Sequence, residues 1–148
     1  MSKNLSLNYS LAEINEAAKV FWQEAKAYRI FAFRGDLGAG KTTFVAALAQ
    51  VMGIEDSVSS PTFSLINEYH FFDKDGNEKI LFHSDCYRLK DIEEAIQAGI
   101  EDMLEQKNAY CIIEWPERIL PLLPEDALWV DFKLLDDGGR QLLCSFPG

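Results

Sequence analysis

The chain has 148 residues, 48% hydrophobic and 26% charged, a composition that supports one folded domain and excludes both a disordered chain and two ordinary domains. Lys and Arg number 14 against 24 Asp and Glu, giving a net charge of −10 with no Lys/Arg block, which argues against direct, tight binding to RNA, DNA or an anionic membrane. The three cysteines, Cys86, Cys111 and Cys144, are odd in number, widely spaced and set in apolar stretches, so neither a disulfide framework nor a zinc site is expected.

The N-terminal stretch MSKNLSLNYSLAEI lacks the basic start and long apolar run of a signal peptide, and no apolar stretch reaches the ~20 residues of a membrane span. A soluble protein of the reducing cytoplasm is expected. Ser10 and Glu13 have capping-box spacing, and Leu11, Ile14, Ala17, Ala18 and Phe21 recur at helical intervals, which predicts a helix running to about Ala27. Ile30 to Phe33 is a short apolar run ending near a glycine, the pattern of a central strand. After an intervening loop, TFVAALAQVM continues as a helix that closes at Gly53.

The segment SVSSP predicts an irregular loop to about Pro61, followed by a strand through Phe72. DKDGNEK is a turn and KILFHSD a returning strand, so this hairpin introduces antiparallel pairing into an otherwise parallel sheet. Asp91 and Glu94 repeat the capping pattern in an acid-led helix closing at Gly99, with EDMLE as a further turn or short helix. AYCIIE reads as a buried strand halted by Pro116, and DALWVDFKLL, DDGG and RQLLCSF form a C-terminal hairpin.

The loop between the first central strand and its helix carries the chemistry. Gly35-Asp36-Leu37-Gly38-Ala39-Gly40-Lys41-Thr42 matches G-x-x-x-x-G-K-[ST] at every fixed position, in the strand-to-helix context that a phosphate-binding P-loop requires. Gly38 and Gly40 let the backbone curl inward, so that N–H groups from Gly38 through Ala39, Gly40, Lys41, Thr42 and Thr43 converge on phosphates at the positive end of a helix. Lys41 reaches the β- and γ-phosphates of a bound nucleotide, the Thr42 hydroxyl belongs to the shell of a Mg²⁺, and Thr43 donates to the α-phosphate. The expected fold is therefore α/β: a single P-loop NTPase-like domain spanning 1–148, three-layered, with a mixed parallel/antiparallel sheet.

A P-loop needs an acidic partner at the end of a neighbouring strand. Asp85, after ILFHS, and Glu114, after YCII, both qualify. Either can hold the metal or orient the attacking water, and both join Lys41 as candidate catalytic residues. No N-K-x-D or T-K-x-D stretch of the kind that reads guanine is present, which favours ATP and ADP.

Four stretches, GDLGAGKTTF, SSPTFSL, FHSDCYRL and IIEWPER, stand in the order and spacing of the TsaE (YjeE) family, and the similarity extends over most of the chain. The resemblance implies a small bacterial ATPase of the tRNA threonylcarbamoyladenosine pathway, assisting a complex of two partner proteins, TsaB and TsaD, that modifies an adenosine beside the anticodon. It also implies Mg²⁺ on Thr42 and Glu114, phosphates on Gly38 through Thr43, and Asp85 as the second acid, in a switch II or Walker B position. Ser59 to Phe63 resembles a switch I loop. In the family the adenine lies near the N-terminal helix and the last hairpin; the corresponding regions, around Ser10 or Leu11 and Gly138 to Arg140, match poorly in sequence.

Other residues carry two readings each. Trp115 is a lid or partner contact, or an aromatic anchor at a strand end. His83 positions Asp85, or, as the commoner case, alternates outward from its strand, while His70 is a plain strand residue. Arg88 is a cis arginine finger, or more simply a partner of Glu93 or Glu94. Two alternatives to a partner-coupled ATPase stay open on the sequence: a small-molecule kinase, and a nucleotide-gated binding module with little hydrolysis.

Overall fold

The computed structural model describes residues 3–36, 38–58 and 65–146. Strand β1 (Lys3–Tyr9) leads through Ser10 into a 3-10 turn at Leu11–Glu13 and helix α1 (Ile14–Ala25). The Glu13 carboxylate accepts from the Ser10 N–H at 2.9 Å and from its hydroxyl at 3.0 Å, which holds it below the usual carboxylate range. This is the capping arrangement that the spacing predicts, although regular α-helix starts only at Ile14 and stops at Ala25. Strand β1 was not anticipated. Its alternation of Leu5, Leu7 and Tyr9 with Asn4, Ser6 and Asn8 is a period-two signal, legible in retrospect.

Strand β2 (Ile30–Arg34) and helix α2 (Lys41–Met52) flank the glycine loop, and α2 closes at Gly53. Strands β3 (Ile66–Phe72) and β4 (Glu78–Asp85) form the expected antiparallel hairpin. The short helices α3 (Ile92–Gln97) and α4 (Ile100–Leu104) follow, with Asp91 capping α3 by accepting from the Glu94 N–H at 2.9 Å. Strand β5 (Ala109–Glu114) runs through Trp115 into a 3-10 segment at Pro116–Leu122, which no sequence signal predicted, and β6 (Leu128–Leu134) and β7 (Arg140–Phe146) form the last hairpin.

These strands make one seven-stranded sheet in the order β1-β7-β6-β2-β5-β4-β3. The β6-β2-β5-β4 centre is parallel and both flanks are antiparallel, so the sheet is mixed as expected. Alternate side chains of the central strands enter separate cores. Phe31, Phe33 and Ile112 pack with Phe21 of α1 and Phe44 and Leu48 of α2, whereas Ile30, Cys111 and Ile113 pack with Ala95, Ile100 and Ile119 on the opposite face. That double coverage makes a three-layer α/β domain and explains why β2 is an unbroken apolar run rather than an alternating one. Among the described residues no helix is long and apolar enough to cross a membrane.

Candidate functional site

Parallel pairing fixes the site's position. Phe33 at the end of β2 stands opposite Glu114 at the end of β5, and Glu114 opposite Asp85 at the end of β4, so the glycine loop and both predicted acids share one sheet edge. Around them opens a cleft of about 280 Å³. Gly38, Gly40, Lys41, Thr42 and Thr43 form its floor, with Asp85, Glu114, Trp115 and Arg140 around it. A larger cavity, about 560 Å³, lies by Trp22, Phe71 and Tyr110. It includes no residue of the motif, so the chemistry of the smaller cleft decides the assignment.

The loop backbone is shaped for close approach. Gly40 caps α2 with φ +92°, a left-handed conformation, and a Cβ there would lie 2.9 Å from Arg140 Nε; only glycine meets both demands without strain. Ala39 is buried, and its N–H donates to the Asp36 carbonyl at 3.1 Å. Lys41, 5% exposed, donates through Nζ to the Gly35 carbonyl and sits 4.0 Å from the centroid of the Trp115 ring. Burial pulls its pKa down, while Glu114, Asp85, Glu117 and Asp36 push the other way.

The acid end is a buried hydrogen-bonded cluster. The Thr42 hydroxyl donates to both oxygens of the 3%-exposed Glu114 carboxylate, at 3.0 and 3.1 Å, and His83 Nε2 donates to Oε2 at 2.6 Å. His83 is fully buried and its Nδ1 has no partner among the described residues. The outward reading of His83 therefore fails, because β4 is an interior strand with both faces covered and has no outward side. It braces Glu114 rather than Asp85. Asp85, partly exposed, accepts from the Tyr87 N–H at 3.0 Å, which fixes the turn after β4.

Hard oxygen donors, a hydroxyl and a carboxylate in direct contact, suit Mg²⁺. Among the described residues no group of three His, Cys, Asp or Glu side chains could hold a metal. An ion on Thr42 and Glu114 would thus complete its shell with water and phosphate oxygens, the habit of Mg²⁺ at nucleotides.

Trp115 is the aromatic anchor at a strand end of its second reading, half-buried against the core beneath the sheet. It is the single non-glycine residue with positive φ (+58°) among those described, and its ring lies 4.8 Å from that of Tyr87 while covering Lys41. Arg88 is exposed, does not line the cleft, and makes no ion pair with Glu93 or Glu94 among the described residues. His70 sits on the surface between Glu68 (2.6 Å) and Glu78 (3.3 Å), which raise its pKa; it has no part in the cleft. The Ser59 to Phe63 segment lies outside the described residues, as does Leu37.

Arg140, which the resemblance set only in the adenine region, lines the cleft of the glycine loop as well, because the order of strands brings the start of β7 over that loop. Pairing of Tyr9 with Arg140 also brings the start of α1 beside the β6–β7 turn. A second cleft of about 300 Å³ lies there, between Tyr9, Ser10 and Glu13 on one side and Leu135, Asp137 and Gly138 on the other.

Comparison with known proteins gives the family and the fold. The family model for TsaE, threonylcarbamoyl adenosine biosynthesis protein, matches residues 8–142. The chain belongs to the TsaE family. It is 35% identical to the tRNA threonylcarbamoyladenosine biosynthesis protein TsaE of Bacillus subtilis, over 92% of this chain and 81% of that one. With the TsaE of Rickettsia bellii it shares 38% identity, covering 90% and 87%, and with that of Treponema pallidum 35%, covering 76% and 78%. The crystal structure of Bacillus subtilis YdiB superposes with a TM-score of 0.73 at 29% identity, covering all of this chain and 88% of its own. The fold expected from the motifs is thus the fold of a TsaE-family protein.

Proposed function

We propose that this TsaE-family protein binds ATP and ADP with Mg²⁺, hydrolyses ATP, and assists a TsaB–TsaD complex in threonylcarbamoylation of tRNA adenosine. The observation that carries the reading is the Thr42–Glu114 contact, 3.0 Å long, beside a P-loop lysine in the same cleft. Backbone N–H groups of Gly38 and of residues 40–43 at the start of α2 hold the phosphates, with Ala39 N–H kept on the Asp36 carbonyl. The Lys41 ammonium exchanges the Gly35 carbonyl for phosphate oxygens, matching a desolvated cation to a desolvated anion. Thr42 and Glu114 hold Mg²⁺, which when bound neutralises charge on the β- and γ-phosphate oxygens. His83 keeps Glu114 aimed at that position. Asp85, at the edge of the cleft, orients the water whose oxygen attacks the γ-phosphorus while the bond to the bridging oxygen of ADP breaks.

Slow turnover of the isolated protein follows, because Arg88, the cis-finger candidate, does not line the cleft. Coupling then arises if the nucleotide-loaded face docks on the partners and hydrolysis releases it. The net charge of −10 leaves the RNA contacts to those partners. Single-turnover phosphate release in Mg²⁺, compared with a Lys41→Ala variant, tests the ATPase: release by the wild type alone is expected, and equal traces would overturn it. Capture of TsaB and TsaD on the immobilised protein in ATP and Mg²⁺ tests the pathway; retention of neither would remove that assignment.

A further inference from the structure

Helices α1 and α2 stop short of the sheet they cover. Helix α1 closes at Ala25 and α2 at Met52, which leaves the start of β5 and the end of β3 open at the sheet end opposite the glycine loop. The gap is the cavity of about 560 Å³, a volume that suits a small organic molecule. Its floor is aromatic: Trp22 of α1 and Tyr110 of β5 meet edge to face at 5.0 Å, and Phe71 of β3 stacks with Tyr110 at 6.3 Å. Trp22 and Tyr110 are half-buried, so part of their ring surface is open to the cavity they line. Burial raises the Tyr110 pKa, so its hydroxyl stays neutral and adds no negative charge.

The rim is basic although the chain is acidic. Lys19, Trp22 and Lys26 follow at three- and four-residue spacing on α1, which sets an ammonium group on either side of the indole, and Lys74 joins them from the β3–β4 turn. Lys26 and Lys74 make no ion pair among the described residues, and Lys19 meets only the exposed Glu16 at 3.3 Å, a contact worth little. Asp73 and Asp75 share the rim, but the Asp73 carboxylate accepts from the Asp75 and Asn77 N–H groups, each at 2.9 Å, so its charge is directed into the turn. Three lysines against two aspartates reverse the balance of a chain with 24 acidic and 14 basic side chains. Lys26, at the C-terminal end of α1, also offsets the helix dipole that would otherwise repel an anion.

We infer that this cavity is a binding site for a small aromatic carboxylate, with one or two fused planar rings seated on Trp22 and Tyr110 and the carboxylate held by Lys26 and Lys74. Ring faces select a planar apolar body, and the lysines select its negative end. The site is independent of the nucleotide reading. Helix α2 brings residues 50–52 here and residues 41–43 to the glycine loop, about 14 Å apart at 1.5 Å per residue.

Titration of isotope-labelled protein with 2-naphthoate, and with 2-naphthylmethylammonium as the ring-matched cation, tests it by mapping amide chemical shifts. Naphthoate gives saturable shifts centred on residues 19–26, 50–52 and Tyr110, and the ammonium binds at least about 10-fold more weakly, the worth of two exposed charge contacts. In the double variant Lys26→Glu, Lys74→Glu, both exposed positions, naphthoate affinity falls by about 5- to 50-fold, because two attractions become two repulsions. No saturable shift at millimolar naphthoate, equal affinity for the two probes, shifts centred on residues 38–43, or unchanged affinity in the double variant overturns the inference. Each of those results leaves the nucleotide reading standing.

Discussion

Replacing Glu114 separates what the acid does for the fold from what it does for the ligand. In Glu114→Ala, His83 Nε2 loses its 2.6 Å acceptor in a fully buried position where Nδ1 already has no partner among the described residues. An orphaned buried donor costs about 1–3 kcal/mol, and the lost side-chain methylene adds about 1 kcal/mol. Thr42, at the cleft, can turn its hydroxyl to water and adds little. The expected loss is therefore about 2–4 kcal/mol, read as a lower urea midpoint at unchanged slope. Glu114→Gln keeps the volume and one oxygen for His83, and its amide donates to the Thr42 hydroxyl, so its stability stays within about 1 kcal/mol of wild type. Both variants lose the tightening of ATP binding by Mg²⁺, measured by calorimetry with and without the ion. An alanine variant as stable as wild type, or a glutamine variant as damaged as alanine, would refute the buried-cluster account.

Other consequences follow from the loop and the core. Gly38→Ala meets no atom of the described residues beyond its chain neighbours within 4 Å and bears only the cost of φ +82°, about 1–2 kcal/mol, whereas Gly40→Ala adds a collision with Arg140 Nε; a urea double-mutant cycle with Arg140→Ala should show the excess disappear, and strictly additive losses would contradict the geometry. The buried thiols predict alkaline destabilisation. Burial raises Cys86 to about 11 and Cys111 and Cys144 to about 12, from 9.0. Stability is thus complete below pH 9 and falls as the unfolded chain alone deprotonates, by up to about 1.4 kcal/mol per pH unit for each thiol. Urea midpoints at pH 8, 9 and 10 should fall, and less steeply in Cys111→Ala; an unchanged slope in that variant would refute the assignment.

What the sequence made legible was local or strictly periodic. The P-loop, the caps at Ser10 and Asp91 and the apolar runs ending at Asp85 and Glu114 each lie within a few residues, so their chemistry could be read one stretch at a time. That the two acids stand side by side is a fact of parallel register, Asp85 opposite Glu114, which no single stretch encodes. His83 was misread for the same reason: its outward alternation assumes a half-exposed strand, and β4 lies between β3 and β5 with both faces covered. Arg140 and Tyr9 meet only because β7 inserts between β1 and β6, joining chain ends more than a hundred residues apart. Strand β1 was overlooked because its short alternation of leucines and polar residues is weak beside the longer helix signal that follows it.

The central claim is that backbone amides and Lys41 clasp an adenine nucleotide while Thr42 and Glu114 hold its magnesium. Isothermal titration of ATP into the purified protein, in Mg²⁺ and then in excess chelator, tests it most directly. The account predicts saturable 1:1 binding that weakens without the ion and vanishes in Lys41→Ala. Absence of any binding heat to the wild type with magnesium present would contradict it.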